Sequence, residues 1–113
     1  MFRPVLETEV NSVNDNPIVD AERDEILHGG NFYGGHIARL LDTWKIDFAS
    51  MANWGNAIMA VLVDDRFSQG LPSNLTPEAG VNSGFKGMQL AVTSLCCAVR
   101  QMASPSSIPV VGW

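Results

Sequence analysis

Residues Gly35 to Asp64, GHIARLLDTWKIDFASMANWGNAIMAVLVD, decide the fold. Ile37, Leu40, Leu41, Trp44, Phe48, Met51, Gly55, Ile58 and Leu62 return at three- and four-residue steps, so they share one face of a helix. Arg39, Asp42, Asp47, Asn53 and Asn56 fall mostly off that face. The spacing predicts a long helix over 35–65. Phe85, Met88, Val92, Leu95, Val99 and Met102 repeat the pattern and predict a second helix over 83–104. Asn82 or Ser83 can cap it through a side-chain oxygen, and Pro105 stops it.

A helix of about thirty residues is roughly 45 Å long, whereas a compact domain of this size has a radius of gyration of only about 13 Å. The first helix overshoots any globule the chain could build by itself. Trp54, Val61 and Val63 also lie off its main stripe, so two helices cannot cover each other. The expected class is mainly α: two long helices of a larger bundle, carried by a single partial domain over 1–113. Around them lie a loop-rich segment at 1–34, a loop at 66–82 and a tail at 105–113.

Composition agrees. At 113 residues and 46% hydrophobic the chain is globular in character, but charged residues reach only 17%, below the usual quarter. So sparse a charge suggests that partner chains cover part of the surface. The net charge of −5, with no Lys/Arg cluster, argues against a nucleic-acid partner. Met1-Phe2-Arg3-Pro4 does not open a signal peptide, and no unbroken apolar run reaches a membrane span, so no membrane partner is expected. Cys96 and Cys97 are adjacent and make a poor disulfide scaffold; they read as two buried small residues in a reducing cytoplasm.

Two groups could carry chemistry. Asn11-Ser12-Val13-Asn14-Asp15-Asn16-Pro17 is a turn dense in amide and carboxylate groups. Gly29-Gly30-Asn31-Phe32-Tyr33-Gly34-Gly35 sets an amide and two aromatic rings among glycines, immediately before a helix N-terminus that favours negative charge. A plain turn and an ordinary helix entry are the bland alternatives. His28 and His36 match no zinc signature, and no Gly-Lys-Ser/Thr follows the glycines, so neither a metal nor a phosphate loop is expected.

Taken in order, Asn11 to Pro17, Leu27-His28-Gly29-Gly30-Asn31-Phe32-Tyr33-Gly34, Gly70-Leu71-Pro72-Ser73-Asn74-Leu75 and Gly84-Phe85-Lys86-Gly87 resemble the aromatic amino acid ammonia-lyases. That family comprises histidine, phenylalanine and tyrosine ammonia-lyases and the related aminomutases. The resemblance runs from about Glu7 to Ser107, and the family's proteins are several times longer, so the chain looks like a central fragment of one.

The resemblance implies a homotetramer of long helices, or association with other lyase segments, that eliminates ammonia from phenylalanine, tyrosine or histidine to give an α,β-unsaturated acid. It implies the electrophile 4-methylideneimidazol-5-one (MIO), formed from an internal Ala-Ser-Gly. It places Phe32 as the ring beside that group, Asp15 and Asn16 as supporting hydrogen-bonding groups, and Asn31 and Tyr33 as further support. Tyr33 does not match the family's catalytic tyrosine. The glycine loop and Leu71-Pro72-Ser73-Asn74-Leu75 look closer to phenylalanine and tyrosine lyases than to histidine lyases.

The departures are as specific. Ala-Ser-Gly is absent, because Ala49-Ser50 leads to Met51 and Ala103-Ser104 to Pro105. The Gln-x-x-Tyr-x-x-Arg segment that grips the substrate carboxylate is missing too. The isolated chain is therefore expected to be inactive. The competing readings are a non-catalytic helical oligomerisation scaffold, an aminomutase fragment, or a small ligand-binding module.

Overall fold

The computed structural model describes residues 2–30 and 32–108. Along them run α1 (Phe2–Val10), β1 (Ile18–Asp20), β2 (Glu25–Leu27), α2 (Gly35–Val63), a single 3-10 turn at Ser73–Leu75, and α3 (Lys86–Met102). The chain divides into two compact units, one of Met1–Thr43 with Pro105–Trp113, the other of Trp44–Ser104, and α2 belongs to both.

In the first unit α1 ends where Asn11 N–H donates to the Glu7 carbonyl (3.3 Å) and the Asn11 amide to the same oxygen (2.7 Å). The strands pair antiparallel, Ile18 with Leu27, Val19 with Ile26 and Asp20 with Glu25. Asp20 Oδ1 accepts the N–H groups of Glu22 (3.0 Å) and Arg23 (3.2 Å), closing the hairpin turn. Residues 1–34 therefore hold more regular structure than their turn formers suggest. The reason is scale: α1 buries no residue and the strands are three residues each, too short for a period to register.

The second unit holds most of α2 and all of α3. α2 as a whole is 29 residues, roughly 44 Å at 1.5 Å per residue. Among the described residues, the buried apolar side chains are only Ala49, Val63 and Cys96. Trp44, Phe48, Met51, Trp54, Ile58, Val61 and Leu62 remain exposed, Trp54 by 71%. The predicted apolar stripe (Trp44, Phe48, Met51, Ile58 and Leu62 here) and the off-stripe Trp54 and Val61 are alike exposed, the pattern expected of a helix that this chain does not cover by itself.

What joins α2 to α3 is partly polar. Thr93 Oγ1 donates to Asn56 Oδ1 (2.9 Å) and Cys96 Sγ to Asn53 Oδ1 (3.3 Å). Asn53 and Asn56, placed by the periodicity away from the contact face, thus form part of it. An apolar groove of about 290 Å³ lies alongside, lined by Ala52, Gly55, Met59, Val92, Leu95 and Val99 among others. Cys96 is buried and Cys97 exposed, correcting the reading of both as buried; adjacent helical residues point about 100° apart.

α3 starts at Lys86, three residues later than its pattern predicts, with no side-chain cap. Asn82 Oδ1 instead accepts Gly84 N–H (2.8 Å), and Phe85 N–H donates to the Asn74 carbonyl (2.8 Å). Gly84 sits at φ +48, and a Cβ there would run into the same Asn74 carbonyl, so this crossing needs glycine on both counts.

α2 is also long and apolar enough to cross a membrane, with a mean hydropathy of 1.2 over its best 18-residue window. No unbroken apolar run along it reaches that length, because Asp47, Asn53 and Asn56 interrupt the sequence. Core helices of soluble bundles meet the same test.

Beyond α2, Arg66 forks onto Asp64 (Nη2 to Oδ2 2.6 Å, Nε to Oδ1 3.0 Å) and lies over the Phe67 ring at 5.4 Å. The guanidinium bonds hold the Asp64 carboxyl down at about 2, against an ordinary 3.8, and raise Arg66. A depressed folded pKa means that the contribution is complete above pH 4 and disappears as pH falls through about 2. NMR titration of the Asp64 carboxyl is expected to give that low midpoint, and Arg66→Gln to raise it only part of the way, because the backbone N–H of residue 66 still donates to Asp64 Oδ1 (3.0 Å). The effect on global stability is small, because the pair is exposed.

Candidate active-site half

The β1–β2 hairpin brings the two motifs together. Because Ile18 pairs with Leu27, the chain entering β1 and the chain leaving β2 run side by side. Asn16 Oδ1 accepts the N–H of Gly29 across that gap (3.3 Å), and Asp15 Oδ1 accepts Asn16 N–H (2.7 Å), holding the turn that presents it. The Asn16–Pro17 peptide is cis. Gly30 meets the turn so closely that a Cβ would overlap the Asp15 carbonyl and the Ile18 side chain. Glycine at 30 is thus a requirement of contact between motifs.

From there the loop climbs to α2. The Gly34 carbonyl accepts Ala38 N–H (3.1 Å), opening the helix. The Tyr33 ring occupies the space a side chain at Gly35 would take. Phe32 and Tyr33 are each 73% exposed, and both border an open recess of about 880 Å³. Its floor is Gly34, Gly35 and Ala38 at the start of α2, and its other walls are Glu9, Asn14, Ser106 and Ser107. The Asn14 amide donates to Glu9 Oε1 (3.0 Å), tying the end of α1 to the turn.

The expected site residues therefore separate by position. Phe32 and Tyr33 face the recess. Asp15 and Asn16 do not line it; they fasten the turn to the glycine loop. Asn31 lies outside the described residues. Glu9, Ser106 and Ser107 were missed, since they belong to no motif and reach the recess through the tertiary fold. Asn14 carried a signal, as part of the quoted turn.

Asp42, read from the periodicity as lying off the apolar face, is 6% exposed. Its Oδ1 accepts Ser106 N–H (2.9 Å) and its Oδ2 accepts Ser107 N–H (2.8 Å).

Chemically the recess offers two flat apolar faces, an acidic side chain at its margin, and a helix N-terminus whose free N–H groups attract negative charge. Among the described residues, no three His, Cys, Asp or Glu side chains gather as metal ligands would.

This hairpin-clamped pairing of turn and glycine loop is set in a chain whose residues 1–112 match the family model described as aromatic amino acid lyase. The chain belongs to the aromatic amino acid lyase family. A hal-like protein of Dictyostelium discoideum is 44% identical over 104 residues, covering 92% of this chain and 20% of its own length. Histidine ammonia-lyase of Caenorhabditis elegans is 42% identical over 94% of the chain and 16% of its own length. Phenylalanine aminomutase of Taxus chinensis is 37% identical over 88% and 15%.

Among solved structures, Pantoea agglomerans phenylalanine aminomutase superposes with a TM-score of 0.88 at 31% identity, over 98% of this chain and 22% of that one. Tyrosine aminomutase from Streptomyces globisporus superposes at 0.79 and 34%, over 88% and 19%. This chain spans about a fifth of the length of these relatives.

Proposed function

We propose that this chain supplies one half of the active site of an MIO-dependent aromatic amino acid ammonia-lyase or aminomutase. The observation that carries the reading is the Asn16–Gly29 bond, which fastens the Asn-Asp-Asn-Pro turn to the loop bearing Phe32. The electrophile belongs to a segment other than this one, because Ala-Ser-Gly does not occur in residues 1–113.

The recess suits such a flat, electron-poor group as a guest from outside: Phe32 and Tyr33 stand exposed beside about 880 Å³ of open space at the start of α2. When present, the group supplies the electron sink for departure of ammonia. This chain's residues then orient and shield. Phe32 covers the site and excludes water, Asp15 and Asn16 hold the loop, and the α2 N-terminus favours developing negative charge.

Its substrate class is aromatic amino acids as a group. The 42% identity to a histidine lyase and 37% to a phenylalanine aminomutase lend no support to the lean toward phenylalanine and tyrosine. The working form is a cytoplasmic homotetramer, with no nucleic-acid or membrane partner.

Grafting residues 1–112 in place of the matching segment of a histidine ammonia-lyase tests the reading. A chimera that assembles and releases the unsaturated acid is expected. A soluble, correctly assembled chimera without turnover would sink it. The isolated chain should show no turnover, and product formation by it would refute inactivity alone.

The uncovered α2 stripe favours a second reading, a non-catalytic oligomerisation scaffold. Both readings expect self-association or capture by lyase segments in size-exclusion chromatography with light scattering. A monodisperse, well-folded monomer contradicts both, and an active chimera separates them.

A further inference from the structure

Asp42 performs a task that neither motif explains. Gly35, Ala38 and Asp42 follow one another at three- and four-residue steps, so they share a face of α2. The first two form the recess floor. Asp42 continues that face one turn on and is buried, and each carboxylate oxygen accepts one of two consecutive N–H groups, from Ser106 (2.9 Å) and Ser107 (2.8 Å). The two serines line the same recess as Phe32 and Tyr33. They are more than sixty residues away in sequence, so no local turn sets their position.

A buried carboxylate is costly unless hydrogen-bonded, and successive backbone N–H groups make a matched anion cradle. We infer that Asp42 is the positioning residue of the recess: it fixes the Ser106–Ser107 backbone as part of the lining that Phe32 and Tyr33 share, and so sets the size of the space in which those two rings work. Its catalytic meaning rests on the lyase reading above. The clamp itself does not.

The geometry separates substitutions that look similar. Asparagine at 42 keeps the size but offers one acceptor and turns an NH₂ donor toward an N–H. Glutamate keeps two acceptor oxygens. Tyr33, the single tyrosine, can be labelled as fluorotyrosine to report on the recess.

In the full chain, Asp42→Asn is expected to speed amide exchange at Ser106 and Ser107 by at least about tenfold and to shift the Tyr33 fluorine resonance. Exchange at Gly29, held by Asn16, should stay unchanged. Asp42→Glu should keep both serine amides within about threefold of the parent. Serine amides as protected in Asp42→Asn as in the parent, an unmoved Tyr33 resonance, or no rescue by glutamate would each overturn the inference. Should Asp42→Asn fail to fold, Ser107→Pro removes one donor and leaves the carboxylate; an unmoved Tyr33 resonance there overturns it equally. These readouts need no turnover, so they stand or fall separately from the chimera assay.

Discussion

Phe32→Ala in the active chimera is expected to lower kcat on the order of 10²-fold, the usual cost of losing a positioning surface beside the reacting atoms. The melting temperature should barely move. The kcat expectation rests on the proposed place of Phe32 beside the electrophile; the stability expectation rests on its exposure, since Phe32 is 73% exposed, contributes little to this chain's own packing, and exposed positions change stability by only about 0.5 kcal/mol or less. On the proposed reading, a ring kept exposed just before a helix is free to pack against a guest. The check pairs absorbance of the unsaturated acid with thermal unfolding of the same preparation. A drop in stability as large as the drop in turnover would instead make Phe32 a core residue of the assembly. Full activity in Phe32→Ala would remove it from the site.

Gly30→Ala is expected to have the largest structural effect of any single methyl group in the first unit. The added Cβ overlaps the Asp15 carbonyl, which is backbone and cannot swing aside, as well as the Ile18 side chain. Overpacking of this kind costs about 1–3 kcal/mol, and here relief requires moving the Asp-Asn turn off the glycine loop. The Gly29–Asn16 bond is the first casualty, since its 3.3 Å separation has little to spare. Amide exchange at Gly29 should rise while α3 stays protected, and the Gly30→Ala chimera should lose turnover with Phe32 intact. Gly29→Ala makes the contrast, because a Cβ there meets nothing within 4 Å and only its φ of +84 is strained. If Gly30→Ala left exchange at Gly29 and the melting temperature unchanged, the close approach of the two motifs would not matter to the fold.

Residue types and their spacing carried the helical class and the two motifs. Nine apolar positions at helical steps are enough to specify α2, because side-chain direction along a helix follows from its period. The family could be read for a related reason: turn chemistry and glycine placement are local, so Asn11–Pro17 and Leu27–Gly34 keep their form in the chain itself. Their pairing was not legible. The hairpin between them is built from three-residue strands, and its register comes from backbone hydrogen bonds that any residue can make.

By itself, then, the sequence determined the aromatic amino acid lyase family and a long-helix fold, and singled out a turn and a glycine loop as the candidate chemistry-bearing parts. Only the tertiary structure decided which of those residues face the recess. Asp15 and Asn16 became fasteners, while Glu9, Asn14, Ser106 and Ser107 became walls. It also turned Asp42 from a residue off the apolar face into a buried clamp. The physical reason is that periodicity reports which face of a helix a side chain occupies, whereas burial depends on what distant backbone arrives to meet it. For Asp42 that backbone lies more than sixty residues further along the chain.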